Sequence, residues 1–132
     1  MTPEIRNEIV SYRCQKALLL LEEVNLLIEH ELCNSAVNRM YYACFHAVSA
    51  LLIKHSINVK SHKGMRQAFG MHFVRTGIIK PEEARIFTRI YDKRQASDYD
   101  DFMEFSLEEV TTLQPSVIDF VNKIVALTTN AS

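Results

Sequence analysis

The chain has 132 residues, of which 48% are hydrophobic and 23% charged, a balance typical of one globular domain and not of a disordered chain. Its three glycines and three prolines are too few for the many tight turns of a β-sandwich or β-barrel, which excludes most all-β folds and favours long helices. With 15 basic and 16 acidic residues, the net charge of −1 excludes a general attraction of the whole surface to nucleic acid or anionic membranes.

The first two predicted helices form the larger part of the expected core. The first runs from Thr2 to about His30, with Thr2 placed to cap it and proline at the first helical position, where a missing N–H costs nothing. The second, from about Cys33 to His55, is apolar on almost every side and is expected at the centre of the fold. Its uncharged run, 40–53, is shorter than the roughly 20 residues that cross a bilayer, so it indicates a buried helix in a soluble protein without a membrane partner.

The third and fourth predicted helices are bounded by clear start and stop signals. Ser61 is the expected cap of a third helix over 62–75, and Gly77 can end it because glycine accepts a left-handed conformation. A fourth helix begins near Pro81, with two glutamates in its first turn that favour the helix dipole, and runs to about Ser97.

The last predicted helix follows a capping box formed by Ser106 and Glu109 and ends near Leu127. Pro115 lies inside it and is expected to bend or split it near residue 114. Residues 128–132 are expected to fray. The sequence therefore predicts a single all-α domain over 1–132 with its core at about 3–127, an antiparallel up-and-down bundle of four long helices plus a short fifth helix.

Polar residues interrupt the otherwise apolar segment NRMYYACFHAVSALL, residues 38–52. On a helix, Arg39 and His46 share one side with Tyr42, and Asn38 lies on the same face as the tyrosine. This combination suits a nucleotide pocket, since arginine pairs with phosphate and a tyrosine ring stacks on a base. The alternative is that these side chains satisfy one another inside the bundle, or that a buried arginine pairs with a carboxylate, for which Asp98 is the candidate.

A second polar group lies in DKRQASDYDDF, residues 92–102. Arg94 and Asp98 are four residues apart and can pair at the end of the fourth helix. The functional interpretation is a polar cluster that faces the central helix, and the alternative is an ordinary surface pair. The candidate ligand-binding cluster is therefore Asn38, Arg39, Tyr42, His46, Arg94, Asp98 and Tyr99.

A separate anion site is predicted at the start of the third helix, formed by Ser61, His62 and Lys63, where backbone amides can bind an anion. The alternative is that Ser61 is a plain cap. The region 54–75 holds five Lys or Arg and no acid, whereas 98–109 holds six acids and no base. Such strips can hold phosphates, or they can pair with each other within or between subunits.

Metal and redox chemistry have no support in the residue spacing. Cys14, Cys33 and Cys44 form no CxxC pair, which favours reduced thiols in a cytoplasmic protein. The histidines lack the spacing of metal ligands, and no glycine-rich phosphate loop is present. We therefore expect no metal site, no cofactor and no catalytic constellation of a known type.

The strings NRMYYACFHAVSALL, SHKGMRQAFGMHFVRTG and YDKRQASDYDDF resemble the HEPN family (higher eukaryotes and prokaryotes nucleotide-binding), above all its small, single-domain prokaryotic branch. The resemblance covers about residues 5–127 and implies a bundle of four long helices and a short one. It also implies a homodimer that works beside a small nucleotidyltransferase in toxin–antitoxin-like systems, with nucleotide or RNA as ligand. Some members of the family are metal-independent ribonucleases.

The resemblance also bears on catalysis. The ribonuclease branch carries an arginine followed, after four to six residues, by a histidine, but here Arg94 leads to Tyr99, a poor base near neutral pH because its ordinary pKa is about 10. Asp101 stands where the toxin branch has a tyrosine that the partner adenylylates. Two further Arg–His spacings, 39 with 46 and 66 with 72, lie away from the motif position and are interpreted as coincidence. We therefore expect a non-catalytic binding module, with a ribonuclease toxin using Arg94 as the alternative.

Overall fold

The computed structural model describes residues 1–130, and these residues form helices joined by short connections, without a strand. The helices are α1 (Pro3–Glu29), α2 (Cys33–Lys54), α3 (His62–Phe69), α4 (Pro81–Tyr99) and α5 (Leu107–Asn130). The predicted all-α bundle of four long helices and one short helix is confirmed. Residues 131 and 132, which belong to the expected frayed tail, lie outside the described residues.

The predicted helix ends are confirmed where a side chain or a glycine sets them. The Thr2 hydroxyl accepts a hydrogen bond from the Ile5 amide at 3.2 Å, and the Ser61 hydroxyl accepts one from the Gly64 amide at 2.9 Å. Gly77 has a φ of +84°, the left-handed conformation expected after a helix. At the start of α5 the Glu109 amide donates to the Ser106 hydroxyl at 3.1 Å, while the Glu109 carboxylate accepts from the Ser106 amide at 3.4 Å. These bonds satisfy amides that a helix leaves without partners at its start.

Helix α2 is the central helix, as predicted, and packs against all four other helices. Its fully buried side chains include Tyr41, Met40 and Leu51, and the core continues through Phe69 and Phe87 into α5. A polar side chain on α2 therefore lies against a neighbouring helix on whichever side it projects. This packing places the candidate site between helices.

The third helix differs from its prediction. Regular α-helix ends at Phe69, and a π-helical turn, Gly70–Val74, replaces the expected continuation to Arg75. The Arg75 amide donates to the Gly70 carbonyl at 2.9 Å, the five-residue bond that defines such a turn. Phe69 and Phe73 both remain in the core, their rings stacked 6.2 Å apart, so burial of the two rings accompanies the wider turn.

The last helix also differs from its prediction, in two respects. Of the two alternatives at Pro115, a split is wrong, because α5 is continuous from Leu107 to Asn130; a bend stays a prediction. Buried residues on both sides of the proline, among them Leu113 and Val117, hold the two halves against the core. The expected end near Leu127 and fraying from residue 128 are wrong for the described part, since Thr128 is buried and its carbonyl accepts a hydrogen bond from the Lys54 ammonium.

Among the helices of residues 1–130, none combines the length and apolar character that crossing a membrane requires. The three cysteines are free. Burial raises the pKa of the Cys44 and Cys14 thiols above the ordinary value, which leaves both as neutral, inert core groups.

Candidate functional site

A cavity of about 240 Å³ between α1 and α2 brings together three of the predicted residues, Arg39, Tyr42 and His46. The spacing of these three residues along α2 predicted that they share one face of the helix, and all three line the cavity on its α2 side. Helix α1 supplies the opposite wall with Lys16, Leu20 and Glu23.

Arg39 lies at the mouth of this cavity. Its side chain is 45% exposed, its Nη1 donates to the Asn38 amide oxygen at 2.8 Å, and its Nε lies 3.9 Å from a Glu23 carboxylate oxygen. The predicted pairing of a buried arginine with Asp98 is wrong for Arg39, because this side chain faces α1 and not α4. A half-exposed pair at this distance contributes little to stability, so the guanidinium remains available to a ligand.

His46 lies deeper and next to positive charge. Arg13 Nη1 donates to His46 Nδ1 at 3.3 Å, and because arginine has only donors, the ring proton of the neutral imidazole is on Nε2. Burial, together with the charges of Arg13 and Lys16, lowers the pKa of His46 from 6.5 to about 4. The ring is therefore neutral at pH 7, and the cavity holds its positive charge on the arginines and the lysine.

Arg94 approaches the same tyrosine from α4. Its Nη2 donates to the Tyr42 hydroxyl at 3.1 Å and lies 3.4 Å from an Asp98 carboxylate oxygen, so the predicted Arg94–Asp98 contact is present. The guanidinium also lies over the rings of Tyr41 and Tyr42, 4.9 and 5.0 Å from their centroids. Because Tyr42 oxygen accepts from the arginine, its own hydroxyl proton can be donated to a ligand in the cavity.

The predicted anion site at the start of α3 adjoins the same cluster. Ser61 caps the helix, as its alternative interpretation held, and Lys63 is exposed. His62 Nδ1 contacts the Tyr41 hydroxyl, and the imidazole stacks on Phe45 with centroids 4.7 Å apart. Burial, followed by the charges of Arg94 and Arg66, lowers the pKa of His62 below its usual value.

Tyr99 is the one predicted residue that the structure leaves outside the cluster. It ends α4 and is 86% exposed. The position at which the ribonuclease branch carries its histidine therefore projects into solvent. Asn38, Arg39, Tyr42, His46, Arg94 and Asp98 form a connected set, and Tyr99 does not join it.

Sequence reasoning missed several residues of the site. Lys16 and Glu23 are seven residues apart on α1, a helical spacing that points to a shared face. Tyr41 was not predicted, because an aromatic residue on an apolar helix is usually part of the hydrophobic core. Burial raises the pKa of its hydroxyl to about 12. Arg66 places its guanidinium 3.7 Å from the centroid of the Tyr91 ring. No local pattern marks that contact, since it joins two helices.

The arrangement suits anion binding better than proton transfer. Arginine and lysine outnumber carboxylates around the two tyrosines. Among residues 1–130, the buried side-chain atoms without a hydrogen-bond partner are Arg66 Nε, Arg94 Nε and one Glu23 carboxylate oxygen, so unpaired donors outnumber the unpaired acceptor. The side chains that could transfer a proton are already hydrogen-bonded within the protein, because Tyr41 and His62 bind each other and His46 binds Arg13.

Comparison with known proteins gives a match to one family model and three similar proteins. A family model described as HEPN domain matches residues 10–128. A UPF0332 protein of Thermotoga maritima is 36% identical over 80% of each chain. Two proteins of Methanocaldococcus jannaschii, named "Putative toxin MJ0605" and "Putative toxin MJ0142", are 38% and 35% identical over 75% and 83% of this chain and 73% and 74% of their own.

Proposed function

Because the chain belongs to the HEPN domain family, we propose that it is a non-catalytic module that binds a nucleotide and a partner protein. In this proposal it is the cytoplasmic companion subunit of a small nucleotidyltransferase, in a toxin–antitoxin-like system. The names of the two Methanocaldococcus relatives support the link to toxins. The observation that carries the proposal is the positively charged cavity of Arg39, Tyr42 and His46.

The cavity has the chemistry of a phosphate site. Arg39 and Lys16 bring charge, the Tyr42 hydroxyl can donate, and only Glu23 among the lining residues is acidic. Its volume of about 240 Å³ is below the roughly 300 Å³ at which ligand pockets usually begin. It therefore suits the phosphate end of a nucleotide, with the base lying outside.

Absence of catalysis is supported by how Arg94 is held. Its guanidinium is engaged by Asp98 and Tyr42, and the exposed Tyr99 stands five residues further on, where a histidine would be needed. Tyr42 also lies between Arg94 and the cavity residue His46, whose Nδ1 is engaged by an arginine. An arginine so paired is positioned to hold an interface or a ligand.

Calorimetry with ATP, AMP and inorganic phosphate tests the binding site. We expect ATP or AMP to bind, and Arg39→Ala to weaken binding by about tenfold to a hundredfold, since a hydrogen bond to a charged group contributes roughly 1.5–3 kcal/mol. Arg89→Ala is the matched control, because Arg89 is exposed on α4 and does not line this cavity. Equal losses in the two variants would remove the cavity from the proposal.

Affinity capture from native lysate tests the partner. We expect the retained proteins, identified by mass spectrometry, to include a small nucleotidyltransferase. Recovery of none, combined with no heat of nucleotide binding, would overturn the proposed function.

A metal-independent ribonuclease toxin is the second candidate, favoured by the names of the relatives and by His62, which approaches Arg94 through their shared contact with Tyr41. It predicts RNA cleavage in the presence of a chelator and its loss in Arg94→Ala. Intact RNA at high protein concentration eliminates this candidate and leaves the binding module.

A further inference from the structure

Two of the three glycines are explained by the fold itself, and Gly70 is not. Gly77 adopts a φ of +84°, which other residues rarely take, and a Cβ on Gly64 would lie 3.2 Å from the Ser61 hydroxyl oxygen. Gly70 has an ordinary helical φ of −59°, and a Cβ built there would meet no atom of residues 1–130 within 4 Å. Because glycine destabilises a helix relative to alanine, the missing side chain at this position has a cost that no contact among those residues explains.

Gly70 lines an open groove between two helical segments. One wall is α3 with the π-helical turn Gly70–Val74, the other is the first half of α4, and the volume between them is about 760 Å³. Binding clefts usually measure roughly 300–1,000 Å³, and π-helical turns occur frequently at functional sites. The absence of a side chain at residue 70 therefore keeps a cleft of binding size unfilled.

Every charged side chain of this groove is an arginine. The three are Arg66, Arg75 and Arg85, and no acidic residue lines the groove. None of them takes part in an ion pair within residues 1–130, although the whole chain has a net charge of −1. The groove, which we call the arginine-lined groove, therefore presents positive charge that the described part of the chain does not neutralise.

The apolar surface of the arginine-lined groove is aliphatic. Met71 is 54% exposed, and Val74 and Ala84 are half-buried. A methionine side chain is flexible and adapts to different partners, which suits a binding surface. Phe69 and Phe87 also line the groove, but they are only 3% and 2% exposed. Their rings are therefore closed to the stacking of a nucleobase.

We propose that the arginine-lined groove docks an acidic amphipathic helix of another protein, whose apolar side chains contact Met71 and Val74 and whose carboxylates pair with the arginines. Apolar anchors at i, i+3, i+4 and i+7 are the usual way in which a helix occupies a groove. At a rise of 1.5 Å per residue, the wall over residues 66–75 is about 14 Å long. It therefore accommodates two to three turns of a docked helix.

Two other anionic occupants fit the groove less well. Single-stranded RNA binds through stacking as well as charge, and no aromatic ring of this groove is exposed. An anionic membrane is flat, whereas the groove is concave, and the exposed Glu82 beside it would repel lipid phosphates. The arginine-lined groove shares no residue with the cavity of Arg39, Tyr42 and His46. The inference therefore goes beyond the proposed function and holds whether or not the chain binds a nucleotide.

Two variants of opposite kind test the groove. Gly70→Leu fills it from within the chain, and Arg75→Glu reverses one of its charges. Both are expected to fold, because the backbone at residue 70 suits any residue and has free space beside it, and because Arg75 is exposed. Arg89→Glu is the matched control, since Arg89 is also exposed and lies outside this groove. Urea unfolding should show a cooperative transition for all three variants.

A displayed library of randomised helical peptides, selected on the wild-type protein, provides the probe. We expect the enriched peptides to carry apolar residues at i, i+3, i+4 and i+7 with aspartate or glutamate beside them. In fluorescence anisotropy, a labelled representative should bind Gly70→Leu and Arg75→Glu at least tenfold more weakly than wild type. Its affinity for Arg89→Glu should stay within twofold of wild type.

Several results would overturn the docking site. They are the absence of any enriched peptide, enriched peptides without acidic residues, and undiminished affinity for either groove variant. Labelled single-stranded RNA and anionic vesicles are tested in parallel. If either binds wild type and not Gly70→Leu while no peptide is enriched, the groove belongs to that ligand and not to an acidic helix.

Discussion

Lowering the pH from 6.5 toward 4 is expected to destabilise the protein through His46. Burial and the charges of Arg13 and Lys16 lower its pKa from 6.5 to about 4. In the unfolded chain this imidazole takes up a proton near pH 6.5, whereas in the folded protein it stays neutral until about pH 4. The unfolded state therefore binds more protons throughout this window, so the free energy of unfolding rises with pH across it.

The size of the effect follows from the difference between the pKa of His46 in the unfolded chain, 6.5, and its pKa in the folded protein, about 4. At 1.36 kcal/mol per pKa unit this corresponds to roughly 3 kcal/mol, and water around the half-buried ring reduces it to about 1–2 kcal/mol. Urea unfolding at several pH values through the window measures it. His46→Gln removes the titrating group and should flatten the dependence, whereas His30→Gln, at an exposed position on the end of α1, should leave it unchanged.

A direct measurement can refute this reasoning. The ring proton shifts of His46 in an NMR titration should report a pKa well below 6.5, and Arg13→Ala should raise it without restoring 6.5, since burial is the largest cause. ATP or phosphate in the adjacent cavity should raise it as well, because an anion favours the charged ring. A wild-type value near 6.5 would refute the assignment of His46 as a neutral, buried partner of Arg13.

Three further predictions concern the fold. Asn34→Ala should lower the free energy of unfolding by about 1–2 kcal/mol, since it removes both hydrogen bonds to the α4–α5 connection; Asn34→Asp, which keeps the acceptor for the Phe105 amide, should lose about half as much in the same urea assay. Pro115→Ala should raise the melting temperature, because it restores a backbone N–H inside a continuous helix, and an unchanged or lower value would contradict this. With a thiol reagent, Cys33 should react rapidly in the native protein and Cys44 only on unfolding, because Cys44 is fully buried; a second fast thiol would contradict the burial.

Local signals made most of the fold predictable. Helices begin at hydrogen bonds from the capping side chains of Thr2, Ser61 and Ser106, and a helical segment is followed by the left-handed Gly77. Each of these signals depends only on residues within one turn, which are adjacent in the sequence. The π-helical turn and the intact α5 were not predictable in this way. Both depend on burial against distant helices, and at Pro115 that burial outweighs the local preference to break.

The candidate site was predictable along one helix and not between helices. The spacing of Arg39, Tyr42 and His46 fixes their common face whatever surrounds them, and the cavity contains all three. The carboxylate beside Arg39 was assigned to Asp98, yet it comes from Glu23, because the choice depends on which neighbour packs against that face of α2. Cross-helix partners follow from bundle topology, for which a single sequence offers no local pattern.

Helix geometry places Arg94 and Tyr99 on different faces of α4. Arg94 and Tyr99 lie five residues apart on α4, which rotates their side chains by about 140° relative to each other. Arg94 faces Tyr42 and the nucleotide cavity, whereas Tyr99 faces outward beside Phe102. Arg94→Ala should therefore weaken nucleotide binding in calorimetry, whereas Tyr99→Ala should leave it unchanged. Equal losses of affinity in the two variants would mean that the outward and inward faces of α4 act together in binding.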